Sequence, residues 1–145
     1  MRLYLDLNCF NRPFDDQSQE RIRMETEAIL SILNRVVEGR DHLVWSEALT
    51  FENSQHPKLD RAAEIALWQR RAPETVMISA EIAQRARAIS MAGVPALDAI
   101  HIASAEVGMA DVLLTCDDDL NTRARRLGLR ARVMNPVEYW KEVSE

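Results

Sequence analysis

The apolar positions of the chain fall into short continuous runs separated by longer stretches of three- and four-residue periodicity. Residues 2–7 (RLYLDL) form an apolar run of strand character, and the polar stretch that follows, with Pro13, Asp15 and Asp16, predicts an exit loop. From residue 20 to 37, Ile22, Ala28, Ile29, Ile32, Leu33, Val36 and Val37 recur at helical spacing and Gly39 closes the segment, so a long helix is expected. Residues 42–46 (HLVWS) give a second strand, and residues 48–53 a short helix ended before Pro57. Residues 59–71 give a helix with Ala62, Ala63, Ile65, Ala66 and Trp68 on its apolar face. A third strand is expected at 75–79 (TVMIS), a helix at 80–92 stopped by Gly93, and a helix at about 96–107 introduced by Pro95. Residues 112–116 (VLLTC) form a fourth, wholly apolar strand, 120–127 a short helix, and 130–134 a fifth strand before a closing helix.

Apolar runs this short, alternating with helices, suit strands covered on both faces. The expected fold class is therefore α/β, a three-layer α/β/α sandwich around a central, mainly parallel five-stranded sheet. The 145 residues contain no repeat, low-complexity tract or linker, so residues 1–145 read as one domain.

An apolar fraction of 47%, four glycines and two cysteines exclude a disordered chain, a collagen-like repeat and a disulfide scaffold. No uncharged apolar run approaches the ~18 residues of a membrane span, and no basic segment leads into an apolar one at the amino terminus. A cytoplasmic protein without membrane contact is expected. Cys9 and Cys116 read as buried free thiols, and His42, His56 and His101 lack the spacing of a zinc site.

The net charge of −5 conceals an asymmetry. Residues 121–145 carry five arginines and Lys141 against Glu138, Glu142 and Glu145, a local +3, which leaves −8 on the first 120 residues. The run Arg123, Arg125, Arg126, Arg130 and Arg132 is either a footprint for phosphates or a solvated helix face followed by a strand edge.

The acids answer to a topological rule: in open parallel sheets, ligands gather outside the carboxyl ends of the strands. Asp6 ends the first strand, Asp117 follows the fourth, Asp98 falls in the first turn of the helix after Pro95, and Glu52 lies in the short helix after strand two. All four would meet at one sheet edge. Carboxylates gathered in a poorly solvated site repel unless a cation or proton intervenes, and a hard divalent ion resolves this at neutral pH. Magnesium, with its preference for oxygen ligands and substrate phosphate, suits such a cluster better than zinc. Each acid also has a structural role open to it: Asp98 can complement its helix dipole, Asp117, Asp118 or Asp119 can cap the next helix, and Asp6 and Asn8 can brace a turn.

These residues resemble the PIN domain, a nuclease fold shared by VapC-type toxins and RNA-processing nucleases. Tyr4 to Asn8 (YLDLN) resembles its first motif, Ser46 to Glu52 (SEALTFE) its second, Ala96 to Ala105 (ALDAIHIASA) its third, and Thr115 to Leu120 (TCDDDL) its fourth. Order and spacing agree over nearly the whole chain. The resemblance implies sheet order 3-2-1-4-5 and an acidic quartet of Asp6, Glu52, Asp98 and Asp117, with Asp6, Asp98 and Asp117 holding Mg²⁺ or Mn²⁺. Asn8, Ser46, Thr115 and Asp119 are implied as support, and His101 as a helix residue hydrogen-bonded near the site rather than a base.

Glu47 competes with Glu52; five positions apart on a helix they point ~140° apart, and the family spacing from Ser46 selects Glu52. Leu7 stands where the family has a small residue, either narrowing the site or packing the sheet. The implied activity is metal-dependent hydrolysis of RNA phosphodiester bonds, as the toxin of a type II toxin–antitoxin pair. Arg12, Arg123, Arg125 and Arg126 would contact RNA phosphates. The implied partners are an RNA substrate, an antitoxin and a second copy in a homodimer; the alternative is a non-catalytic PIN-like module that binds RNA or protein. A haloacid-dehalogenase-type phosphotransferase wants Asp-x-Asp where this chain has Asp6-Leu7-Asn8, and a receiver-like switch wants a late-sheet lysine, whereas only Lys58 and Lys141 exist.

Overall fold

The computed structural model describes residues 1–144. The chain opens with β1 (Arg2–Leu5), α1 (Leu7–Asn11), a 3₁₀ turn (Arg12–Phe14) and α2 (Glu20–Val37). Next come β2 (His42–Leu43), β3 (Trp45–Ser46), α3 (Glu47–Ser54), α4 (Leu59–Ala66), a second 3₁₀ turn (Leu67–Arg71) and β4 (Thr75–Val76). The remainder is α5 (Ala80–Met91), α6 (Ala96–Val107), β5 (Val112–Leu114), α7 (Asp118–Arg125), β6 (Arg132–Met134) and α8 (Pro136–Val143).

A four-stranded parallel sheet runs β2-β1-β5-β6, and a two-stranded parallel sheet pairs β3 with β4. Residues 42–46, expected as one strand, are divided at Val44: Leu43 pairs with Leu3, whereas Trp45 pairs with Thr75. Read across that division, the strands keep the order that the resemblance implies. Val44 still donates its amide to the Leu3 carbonyl at 2.8 Å before the chain turns away. The last turn of α6 packs beside the division. A Cβ on Gly108 would lie 2.5 Å from Val44 Cγ1 and 2.8 Å from Val76 Cγ2, so glycine is what lets the helix come this close to both strands.

Leu3, Tyr4, Leu5, Val112, Leu113 and Leu114 are all essentially inaccessible, because α2 packed with α8 and α5 packed with α6 enclose the central strands. The helices expected at 20–37 and about 96–107 appear as α2 and α6 with those bounds. Two differences bear on the site. β1 stops at Leu5, and the stretch expected as an exit loop is helical, with Leu7, Cys9 and Phe10 buried; five residues are too few to display a period against polar neighbours. Leu7 therefore packs the core. In addition, the helix expected at 120–127 begins at Asp118, because Asp117 caps it.

Two buried acids tie the layers together, Asp41 at the amino ends of the strands and Glu25 beside their carboxyl ends. Asp41 accepts from Arg35 Nε at 2.9 Å and from the Tyr139 hydroxyl at 3.1 Å, and pairs with the chain's amino group at 3.4 Å. Burial works against its charge, yet these partners hold its carboxyl below the usual range. Glu25 pairs with Arg12 at 3.2 Å and accepts from Asn135 at 2.6 Å.

Candidate metal centre

The site starts from how two strand ends are stitched together. β1 and β5 are register partners through Leu5 and Leu114, so Asp6 and Thr115 leave the sheet side by side. Asp6 donates its amide to Leu114 O at 2.8 Å, and its Oδ2 accepts from Thr115 Oγ1 at 2.8 Å and Asn8 Nδ2 at 3.1 Å. Asn8 Oδ1 in turn accepts the Cys116 amide at 3.1 Å, and Thr115 Oγ1 accepts the Asp117 amide at 3.2 Å. Asn8 and Thr115 thus fix the direction in which both acids leave the sheet.

Asp6 is 6% exposed, and burial drives its carboxyl pKa upward, partly offset by His101 and by the Thr115 hydrogen bond. Asp98 lies in the first turn of α6. Its carboxyl is pushed up to about 6, by burial first and then by the negative charges of Asp6 and Asp117. Asp98 therefore feels the charge of both Asp6 and Asp117. Asp117 caps α7, its Oδ1 accepting the amides of Asp119 at 2.9 Å and Leu120 at 3.2 Å.

Glu52 approaches from α3. Its Oε1 lies 2.7 Å from His101 Nε2, and one ligand atom each from Asp6, Glu52 and His101 fall within 4.8 Å of one another. His101 is buried, and its Nδ1 lies 2.6 Å from the Tyr4 hydroxyl, which also lies 2.6 Å from Ser46 Oγ. Ser46 caps α3 through the Leu49 amide at 3.2 Å. Burial raises the Tyr4 pKa well above its ordinary value, against the lowering effect of the Ser46 bond.

Among the described residues, no lysine or arginine pairs with Asp6, Asp98, Asp117 or Glu52. Four carboxylates without a lysine or arginine partner, one of them buried and one with its acid form favoured to about pH 6, fit a divalent cation with oxygen ligands. The donor set adds one imidazole, already engaged by Glu52.

Of the remaining sequence candidates, Glu47 turns away and accepts the Ile78 amide at 2.7 Å, tying α3 to the exit of β4. Asp119 is exposed on α7. The arginines divide. Arg12 is engaged by Glu25 and by Asp15 at 3.1 Å, and Arg125 by Glu138 at 3.3 Å. Arg123 donates to the Gly93 carbonyl, close in sequence to Asp98, and with Arg126 lines a 350 Å³ cavity shared with Asp119 and Thr122. Tyr4 was not singled out from the sequence. Its position two residues before Asp6 was the available signal, since alternate residues of a strand share a face.

A parallel α/β sheet with its acids gathered at the carboxyl ends of the central strands defines the class. The chain belongs to the PIN domain family, whose model matches residues 3–126. Two solved structures share the fold. FitAcB from Neisseria gonorrhoeae is 15% identical with a TM-score of 0.61, over 92% of this chain and 97% of that one. VapBC2 from Rickettsia felis, bound to a DNA fragment from its promoter, is 11% identical with a TM-score of 0.59, over 93% and 98%. No curated protein matches the chain by sequence. No helix among the described residues is long and apolar enough to cross a membrane.

Proposed function

We propose that this protein is a metal-dependent endoribonuclease and the toxin of a toxin–antitoxin pair. The observation that carries the reading is the carboxylate cluster with no lysine or arginine partner at the ends of β1 and β5, in a chain of the PIN family. Asp6, Asp98 and Asp117 would hold Mg²⁺ or Mn²⁺. When bound, such an ion supplies Lewis-acid stabilisation of the charge growing on the scissile phosphate. Glu52, its Oε1 engaged by His101, takes a proton from the attacking water at its other oxygen. Asn8, Ser46 and Thr115 hold the acids in place, and Asp119 stands at the rim. Arg123 and Arg126 are the cations available to flanking phosphates, since Arg12 and Arg125 are engaged by acids.

The likeness in fold to VapBC2 and FitAcB supports an antitoxin as protein partner. A homodimer is supported by the unpaired edge of β4, which runs into exposed Met77 and Ile78.

Cleavage of a mixed fluorescent RNA panel with Mg²⁺, with Mn²⁺ and with chelator tests the reading, comparing the parent chain with folded Asp6→Asn and Asp98→Asn. Cutting that needs metal and falls at least ~100-fold in both variants supports it. Cutting that survives chelator or either substitution refutes the site, and RNA binding without cutting favours the non-catalytic module.

A further inference from the structure

The Tyr4 hydroxyl is buried between Ser46 and His101, and the resulting chain of hydrogen bonds ends on Glu52. With Glu52 a carboxylate and the imidazole carrying a single proton, only one direction of donation satisfies every member of it. An ionised Glu52 has no proton to give, so His101 Nε2 must carry one, which leaves Nδ1 of the neutral imidazole as an acceptor. Tyr4 must then donate to Nδ1, and its oxygen accepts from Ser46. Ser46 Oγ keeps a lone pair for the Leu49 amide, the cap of α3. Glu52 lies on that same helix, so the chain starts and ends on α3 and closes through β1 and α6.

We infer that Tyr4 is a positioning residue for Glu52, acting through His101. It holds the imidazole at the angle that keeps Nε2–H on Glu52 Oε1 and leaves the other carboxylate oxygen directed to the reaction. This rests on the reading of Glu52 as the group that takes the proton from water. Tyr4 itself does no proton transfer with solvent, because it is wholly inaccessible. The edge-on packing of the two rings, with centroids 5.7 Å apart at 61°, supplies contact but no direction. The hydrogen bond supplies the direction.

The test is Tyr4→Phe, which keeps the ring and removes only the donor, with Ser46→Ala as a second variant should the first prove unstable. The first readout is independent of activity: ¹⁵N spectra of the His101 ring at pH 8 in the metal-free protein. The parent should show a protonated Nε2 and an unprotonated, hydrogen-bonded Nδ1, and Tyr4→Phe should move Nδ1 towards the position of a free acceptor. A protonated Nδ1 in the parent, or an Nδ1 unchanged in the variant, overturns the proposal. The second readout is RNA cleavage, where kcat should fall about tenfold while KM and Mn²⁺ affinity hold, the loss of one oriented hydrogen bond. A shift in Nδ1 with no change in kcat also overturns it. A parent that cuts no RNA but shows the expected ring pattern defeats the nuclease reading alone.

Discussion

Replacing Asp98 by Asn asks directly whether the carboxylates sit together with no cation among them. Its carboxyl is raised from an ordinary 3.8 to about 6 by burial and by Asp6 and Asp117. A shift of about two units corresponds to ~3 kcal/mol at ~1.36 kcal/mol per unit, and solvent screening of a half-buried group reduces that to about 1–2 kcal/mol. Asn also forfeits ~0.5 kcal/mol of charge–dipole stabilisation in the first turn of α6, leaving a net gain of about 1 kcal/mol.

The sign follows from proton linkage. The folded protein binds this proton more tightly than the unfolded chain, so the native state is most favoured below pH ~3.8 and loses that contribution as pH rises through about 6. In chelator at pH 7.5, Asp98→Asn should therefore melt about 2–4 °C above the parent, and the difference should vanish near pH 4. Manganese at a hundred times its dissociation constant should stabilise the parent by ~2.7 kcal/mol, and Asp98→Asn should lose most of that gain. Calorimetry across pH 4–8, with and without Mn²⁺, reads both effects. A variant less stable than the parent in chelator at pH 7.5, or equally stabilised by manganese, would refute the argument.

Arg126→Ala should weaken RNA binding uniformly across sequences and reduce the slope of log K against log salt by ~0.7, measured by fluorescence anisotropy from 50 to 200 mM salt. Arg35→Ala leaves Asp41 buried without its main partner and should cost about 2–4 kcal/mol at neutral pH by urea denaturation. Because the Asp41 carboxyl is held low in the folded state, that stabilisation is present above its ordinary pKa and is lost as pH falls through the folded value; the parent and Arg35→Ala should converge in acid. Gly108→Ala forces a methyl onto Val44 and Val76 and should cost about 1–3 kcal/mol by the same measurement, with the far-UV spectrum unchanged.

A long periodic segment was legible because its pattern exceeds any local ambiguity: α2 follows directly from apolar spacing, and α6 from Pro95 at its start. The acids were legible for a different reason. Asp98 and Asp117 stand at helix starts marked by Pro95 and by the end of an apolar run, and strand ends converge in a parallel sheet. What could not be read was set by contacts distant in sequence. The division of residues 42–46 depends on pairing with residues 75 and 76, and on Gly108 fitting beside them. The choice between Glu47 and Glu52 was made by a sixth-residue spacing, while the structure turns Glu47 onto the Ile78 amide. Nor does sequence show which arginines are spoken for, since Arg12 meets Glu25 and Arg125 meets Glu138 only in the folded chain.

The acids also show why a structural role and a chemical one need not compete. Asp117 uses one oxygen to cap α7 and still lends its charge to Asp98. Ser46 caps α3 and meets the Tyr4 hydroxyl with the same atom. Asp6 departs from this pattern. It stands at the amino end of α1 with the backbone of a capping residue, yet its side chain makes no capping bond. Its Oδ2 instead takes hydrogen bonds from Thr115 and Asn8, which hold the carboxylate beside the end of β5. A cap bond contributes about 1 kcal/mol, and a buried carboxylate is costly without a charged partner. Giving up the first while bearing the second is a local conflict with stability, and such conflicts gather at functional sites. That conflict, more than the number of acids, singles out the ends of β1 and β5 as the place for the proposed chemistry.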